Sequence, residues 1–136
     1  MKAVILDYKS LSPHDLSTEQ LFSLPFEWIT YDTTKPGETS ERVAGADVIL
    51  TNKVVLNRDL LSKFSQIKLI VILATGTNNV DLKAAKEQGI PVCNVVDYST
   101  ESVAQHTLAC LLMLQRRLKD YDNSVRNYSW SESPFF

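Results

Sequence analysis

Apolar residues gather in five short runs, each bounded by polar segments. Ala3-Val4-Ile5-Leu6 comes first and stops at Asp7-Tyr8. Phe26 to Tyr31 is the second run, Asp47 to Thr51 the third, Leu69 to Ala74 the fourth and Ile90 to Val95 the fifth. The first, third and fourth do not alternate apolar with polar, the reading expected of strands covered on both faces. Helical signals lie between the runs. Ser17 to Leu24 is short and stops before Pro25, and Thr39 to Ala44 stops at Gly45. Asn57 to Phe64 opens on a capping residue and sets Leu60, Leu61 and Phe64 on one side. Asn79 to Gln88 opens on an Asn, carries Asp81 in its first turn and stops at Gly89. Strands alternating with helices at this spacing predict an α/β fold with a parallel, doubly wound sheet.

The last element reads differently. From Thr100 to about Tyr128 there is neither Pro nor Gly, Ser99 is a candidate N-cap, and Glu101 suits the first turn. One helix of that length would run ~40 Å, against a radius of gyration of ~14 Å for a compact chain of this size. It is expected to project from a domain spanning 1–99, leaving 100–136 as a separate long helix and tail. The tail, Trp130 to Phe136, ends on exposed-type aromatics and reads as cut.

Composition narrows the classes of function. With 136 residues, 44% hydrophobic and 22% charged, the chain is a globular domain rather than a disordered one. Fourteen basic and 16 acidic residues give a net charge of -2, with no block of like charge. No nucleic-acid partner and no basic membrane-surface role are expected. The longest apolar run is far short of a membrane span, and Asp7 comes too early for a signal peptide. Cys93 and Cys110 show no CxxC spacing, so neither a disulfide framework nor a metal site is expected, and a cytoplasmic location is the default. Glycines occur only at 37, 45, 76 and 89, a spacing that writes neither G-x-G-x-x-G nor G-x-x-x-x-G-K.

Three loops leave strand ends on one side of such a sheet. They are Thr51-Asn52-Lys53, Thr75-Gly76-Thr77-Asn78-Asn79 and Asp97-Tyr98-Ser99-Thr100. In an open parallel sheet, ligands bind beyond the carboxyl ends of the strands. A glycine turn lets the backbone approach a ligand closely, and its N–H groups can hold an anion. A lysine, a glycine turn and a hydroxyl-rich helix start together suit a carboxylate. A simple strand-to-helix turn at Gly76 and a solvated Lys53 are the plainer readings of the same residues.

Ala74-Thr75-Gly76-Thr77-Asn78-Asn79-Val80-Asp81-Leu82, with Ala84-Ala85 and Gly89-Ile90-Pro91-Val92 after it, resembles the NAD-dependent D-2-hydroxyacid dehydrogenases. So does Asn94-Val95 followed by Tyr98-Ser99-Thr100-Glu101-Ser102-Val103-Ala104. Leu50-Thr51-Asn52-Lys53, Gln105-His106 and Trp130 add similarity to the glycerate dehydrogenase (hydroxypyruvate reductase) branch. The resemblance implies a flavodoxin-like, five-stranded substrate domain, a separate Rossmann domain for NAD or NADP, and long crossing helices between them. It puts the substrate carboxylate on the backbone of Thr75 and Gly76, Lys53 near the substrate, and Thr100 toward the nicotinamide end of the cofactor.

The family's glycine motif and its catalytic Arg, Glu and His have no counterparts here, so no catalytic residue is assigned. Arg58, Arg116, Arg117 and Arg126 lie outside the matching segments; His106 and His14 read as structural. The chain corresponds to the N-terminal substrate-binding part of such an enzyme, expected to be inactive and without bound cofactor by itself. Its small-molecule partner would be a 2-oxo or 2-hydroxy acid. Leu111, Leu114, Leu118, Tyr121, Val125 and Tyr128 follow the a/d rhythm of a helix seam, which predicts a homodimer through the long helix. A freestanding flavodoxin-like module is the alternative. A phospho-receiver would need an acidic cluster after the first strand, where only Asp7 stands. A flavodoxin would need a glycine in Asp7-Tyr8-Lys9-Ser10-Leu11, which has none.

Overall fold

The computed structural model describes residues 1–11 and 14–135, which fall into two compact units, Met1–Val96 and a second beginning at Asp97. In the first unit the five apolar runs form five strands: β1 Lys2–Ile5, β2 Glu27–Thr30, β3 Val48–Thr51, β4 Leu69–Ile72 and β5 Val92–Asn94. All neighbours pair in parallel, in the order β2-β1-β3-β4-β5. This is the flavodoxin-like winding expected, with the direction of winding reversing between β1 and β3. Helices α1 (Glu19–Phe22), α2 (Thr39–Val43), α3 (Arg58–Leu61) and α4 (Leu82–Glu87) connect the strands.

Alternate residues of each strand feed two layers, because side chains leave a strand on opposite faces. Val4, Ile49, Ile70 and Ile72 pack with Val43 of α2, Leu61 of α3 and Ala84 and Ala85 of α4. On the opposite face Ala3, Ile5, Val48 and Leu50 meet Leu21 of α1 and Trp28. β1 and β3 are covered on both faces as the sequence implies. β4 is not: Ile70 and Ile72 are buried, whereas Leu69 and Val71 are only half-buried. The edge strand β5 is largely exposed.

One helix start and one cap differ from expectation. The fourth helix begins at Leu82 and not at Asn79, because Asp81 is its cap and accepts the Ala84 N–H at 2.8 Å. Ser99 occupies the N-cap position of the last long helix but its side chain makes no capping bond. Gly45 and Gly89 close α2 and α4 with φ of 76° and 70°, in the left-handed region that favours glycine.

The second unit corrects the single long helix. The segment from Thr100 to Tyr128 is divided into α5 (Thr100–Gln115) and α6 (Leu118–Arg126), followed by α7 (Ser129–Glu132). Arg117 (φ 51°) and Tyr128 (φ 64°) are left-handed and end the helical runs without Gly or Pro. Composition changes at the first break: α5 is apolar on several sides, whereas α6 carries one apolar face and one charged face. The Arg117 guanidinium bonds Asp120 Oδ2 at 2.7 Å, tying the break to the first turn of α6. The a/d seam is therefore interrupted between Leu114 and Leu118.

Candidate functional site

β3 and β4 are neighbours with Thr51 opposite Ile72, so the loops carrying Lys53 and Gly76 leave the same edge of the sheet side by side. The Leu73 N–H donates to Thr51 O at 2.8 Å where the two strands end. Beyond that point a single parallel bridge between Leu56 and Val80 rejoins the loops. There the Leu56 N–H reaches Asn79 O at 2.8 Å and the Asp81 N–H reaches Leu56 O at 3.0 Å.

Two buried polar side chains fix the Lys53 loop from opposite sides. Asp7, only 6% exposed at the end of β1, accepts the Lys53 N–H at 2.6 Å and the Asn52 N–H at 2.9 Å. The buried Thr51 hydroxyl donates to the same carboxylate at 3.4 Å and accepts the Val54 N–H at 3.0 Å. From the β4 side Asn79, 9% exposed, donates from Nδ2 to Val54 O at 3.2 Å. Backbone donors thus stand in for a counter-ion around Asp7, the arrangement that makes a buried carboxylate tolerable. The Lys53 side chain itself is exposed and joins no ion pair among the described residues. A cleft of about 560 Å³ opens beside it, lined among others by Asp7, Ser10, Thr33, Val54 and Asn57. It lies at the strand ends where the winding reverses, the usual ligand position in such sheets.

Thr75 and Gly76 are exposed at the end of β4. No acceptor among the described residues takes the N–H of Thr75, Gly76 or Thr77. Their carbonyl side is anchored instead: Ala74 O accepts the Val95 N–H at 3.1 Å, and Thr75 O accepts Asn94 Nδ2 at 2.8 Å. A Cβ on Gly76 would sit 3.3 Å from Asn78 Oδ1, tighter than ordinary contact. That neighbour is the tip of an exposed side chain, and Gly76 does not have a positive φ. Free backbone donors of this kind can hold an anion.

The other candidates lie elsewhere. Thr100 is in the second unit, in the first turn of α5, where its Oγ1 donates to Asp97 Oδ1 at 3.3 Å. His106 faces Cys110 on the same helix (Nε2 to Sγ, 3.5 Å), and His14 is exposed in a turn. Arg58 pairs with Glu87 at 2.6 Å and Asp81 at 3.8 Å, latching α3 to α4; these carboxylates hold its guanidinium above its usual value. Arg117 and Arg126 pair with Asp120 and Asp122 within the second unit. No group of three or more His, Cys, Asp or Glu among the described residues is placed to hold a metal ion. No helix among them is long and apolar enough to cross a membrane. Sequence reasoning missed Asp7, Asn79 and Asn94 as contributors. Asp7 and Asn94 share one signal, a polar residue at or just beyond the end of an apolar strand, whereas Asn79 sits directly before the bridge residue Val80.

Residues 5–133 match the family model described as "D-isomer specific 2-hydroxyacid dehydrogenase, catalytic domain". The chain is 39% identical to a glycerate dehydrogenase of Methylorubrum extorquens, over 99% of its own length and 42% of that protein. It is 38% identical to a hydroxypyruvate reductase of Blautia hydrogenotrophica, over 98% of its length and 42% of that protein. Among solved structures, an NAD-dependent formate dehydrogenase of Staphylococcus aureus in complex with NAD superposes with a TM-score of 0.72 at 25% identity. That match covers 93% of this chain and 41% of the other. The chain thus spans about 42% of the length of these curated relatives. From Ile5 to Ser133 it belongs to the D-isomer specific 2-hydroxyacid dehydrogenase family, as that family's catalytic domain.

Proposed function

We propose that the chain is the substrate-binding part of an NAD(P)-dependent D-2-hydroxyacid dehydrogenase acting on hydroxypyruvate, glyoxylate or a close relative. The complete protein would reduce the 2-oxo acid to the D-2-hydroxy acid, moving a hydride to the carbonyl carbon and a proton to its oxygen. The observation that carries this reading is the row of free N–H groups at Thr75, Gly76 and Thr77, next to the loop of Lys53. The backbone would hold the substrate carboxylate, and the Lys53 ammonium would add a positive charge to the same edge. The names of the relatives, glycerate dehydrogenase and hydroxypyruvate reductase, support the three-carbon substrate class.

The chain writes no sequence motif for a dinucleotide's phosphates. The Thr100 hydroxyl is engaged with the Asp97 carboxylate. Cofactor binding is therefore assigned to the complete protein, with Thr100 at the nicotinamide end, and the chain alone is expected to be inactive. Self-association belongs to the same proposal. Leu118, Tyr121 and Val125 are exposed on one face of α6, and α5 exposes Leu108, Leu111 and Leu114. Free Cys93 and Cys110 suit a reducing cytoplasm.

Calorimetry with D-glycerate tests the reading. A few backbone bonds open to water, each worth ~0.5–1.5 kcal/mol, give millimolar affinity or weaker. Lys53→Ala should weaken it further without changing the melting temperature, and no protein-dependent oxidation of NADH should occur with hydroxypyruvate. Binding insensitive to Lys53→Ala, or turnover by the pure chain, would refute it.

A further inference from the structure

Asn94 closes the edge strand β5, and its exposed side chain has no part in the core. It nevertheless does something specific to the neighbouring loop. Its Nδ2 donates to Thr75 O at 2.8 Å, one residue beyond the point where the Val95 N–H donates to Ala74 O at 3.1 Å. Two consecutive carbonyls, those of residues 74 and 75, are thereby drawn toward β5.

In a strand, successive carbonyls alternate in direction, so a strand pairing can satisfy only one of two neighbours on a given side. The backbone of Val95 supplies the first bond, as any residue there could. The second needs a side-chain donor of Asn length at position 94. In a planar trans peptide the C=O and N–H of one unit point in opposite directions. Drawing both carbonyls toward β5 therefore aims the N–H groups of Thr75 and Gly76 together, away from β5. Successive amides on one side form a concave anion-binding nest. Neither N–H has another acceptor among the described residues.

We propose that Asn94 is a positioning residue: by gripping Thr75 O it turns the end of β4 from a continuing strand into a paired-amide cradle for a carboxylate. It does not touch the substrate. The inference rests on the proposed role of Thr75 and Gly76 in binding the substrate carboxylate.

The test is an amide-resolved NMR titration of the whole chain with D-glycerate, for the natural protein, Asn94→Ala and Asn94→Asp. In the natural protein the Thr75 and Gly76 amide signals should move downfield together as glycerate is added. Asn94→Ala should keep the melting temperature and the Val95 amide position. It should lose the paired movement and weaken binding by about 3–10-fold, the worth of one neutral hydrogen bond such as that from Asn94 to the Thr75 carbonyl. Asn94→Asp keeps the size of the side chain but replaces the donor by a negative charge, and should weaken binding more than alanine does. It also carries the test if the alanine variant does not fold. Glycerate shifts at Thr75 and Gly76 that are the same in both folded variants as in the natural protein would overturn the role of Asn94 alone. A natural protein whose Thr75 and Gly76 signals ignore glycerate would overturn the cradle itself, and this inference with it.

Discussion

The carboxylate of Asp7 and the backbone N–H of Lys53 meet at 2.6 Å, across 46 positions of sequence. That bond, with those to Asn52 and Thr51, fixes where the β3 loop leaves the sheet. Removing the acceptor strands buried donors, which costs ~1–3 kcal/mol. Asp7→Ala is expected to lower unfolding stability by that amount in urea, and Asp7→Asn, which keeps one acceptor oxygen, by less. Equal stability of all three proteins would mean that the loop is held by other contacts.

A second prediction concerns acid. Asp47 lies just before β3, where Lys68 Nζ meets Oδ1 at 2.6 Å and the Lys2 N–H meets Oδ2 at 2.8 Å. The Lys68 contact first, then the Lys2 N–H, hold its carboxyl below the ordinary value of 3.8. A carboxyl lowered in the folded state favours folding above its unfolded pKa, and that contribution disappears as pH falls through the folded one. Melting temperatures should therefore show Asp47→Asn less stable than the natural protein at neutral pH. The gap should close below about pH 4. A gap independent of pH would contradict the assignment.

Gly89 ends α4 at φ 70° with open space where a Cβ would stand. Gly89→Ala should therefore cost only the conformational penalty, ~1–2 kcal/mol. Gly37→Ala, at a position with no positive φ and no neighbour within 4 Å, should cost less. Denaturant titration of the two variants side by side decides it, and an equal or reversed order would be evidence against the described turn.

The exposed face of α6 makes a prediction about assembly. Leu118→Glu combined with Tyr121→Glu should abolish concentration-dependent self-association in sedimentation at micromolar protein. Burial of one such side chain is worth ~1.5–3 kcal/mol, so a few per chain on two copies can offset the cost of association. A natural protein that stays monomeric with its helices folded would exclude this interface.

The sheet was legible because short unbroken apolar runs such as Val4 to Leu6 and Val48 to Leu50, bounded by polar segments, are of strand length and are buried. The helix from Thr100 was legible in its start and not in its continuity. Arg117 takes a left-handed conformation that no Gly or Asn announces, and its bond to Asp120 is the kind of local pair that propensity does not rank. At the site, Lys53, Thr75 and Gly76 stood out as residue types suited to an anion. Asp7 and Asn94 did not, because what they contribute depends on partners 46 and 19 positions away, joined only by the parallel pairing. Asn79 was read as a helix cap because Asn commonly is one; burial against Val54 claimed its side chain instead.

The most direct measurement of the central claim maps a carboxylate ligand onto the backbone. In an amide-resolved NMR titration with hydroxypyruvate, signals of Thr75, Gly76, Thr77 and Lys53 should shift together with a millimolar midpoint, while glycerol, which lacks the carboxylate, leaves them unmoved. Shifts confined to other residues, or equal shifts with glycerol, would contradict the account.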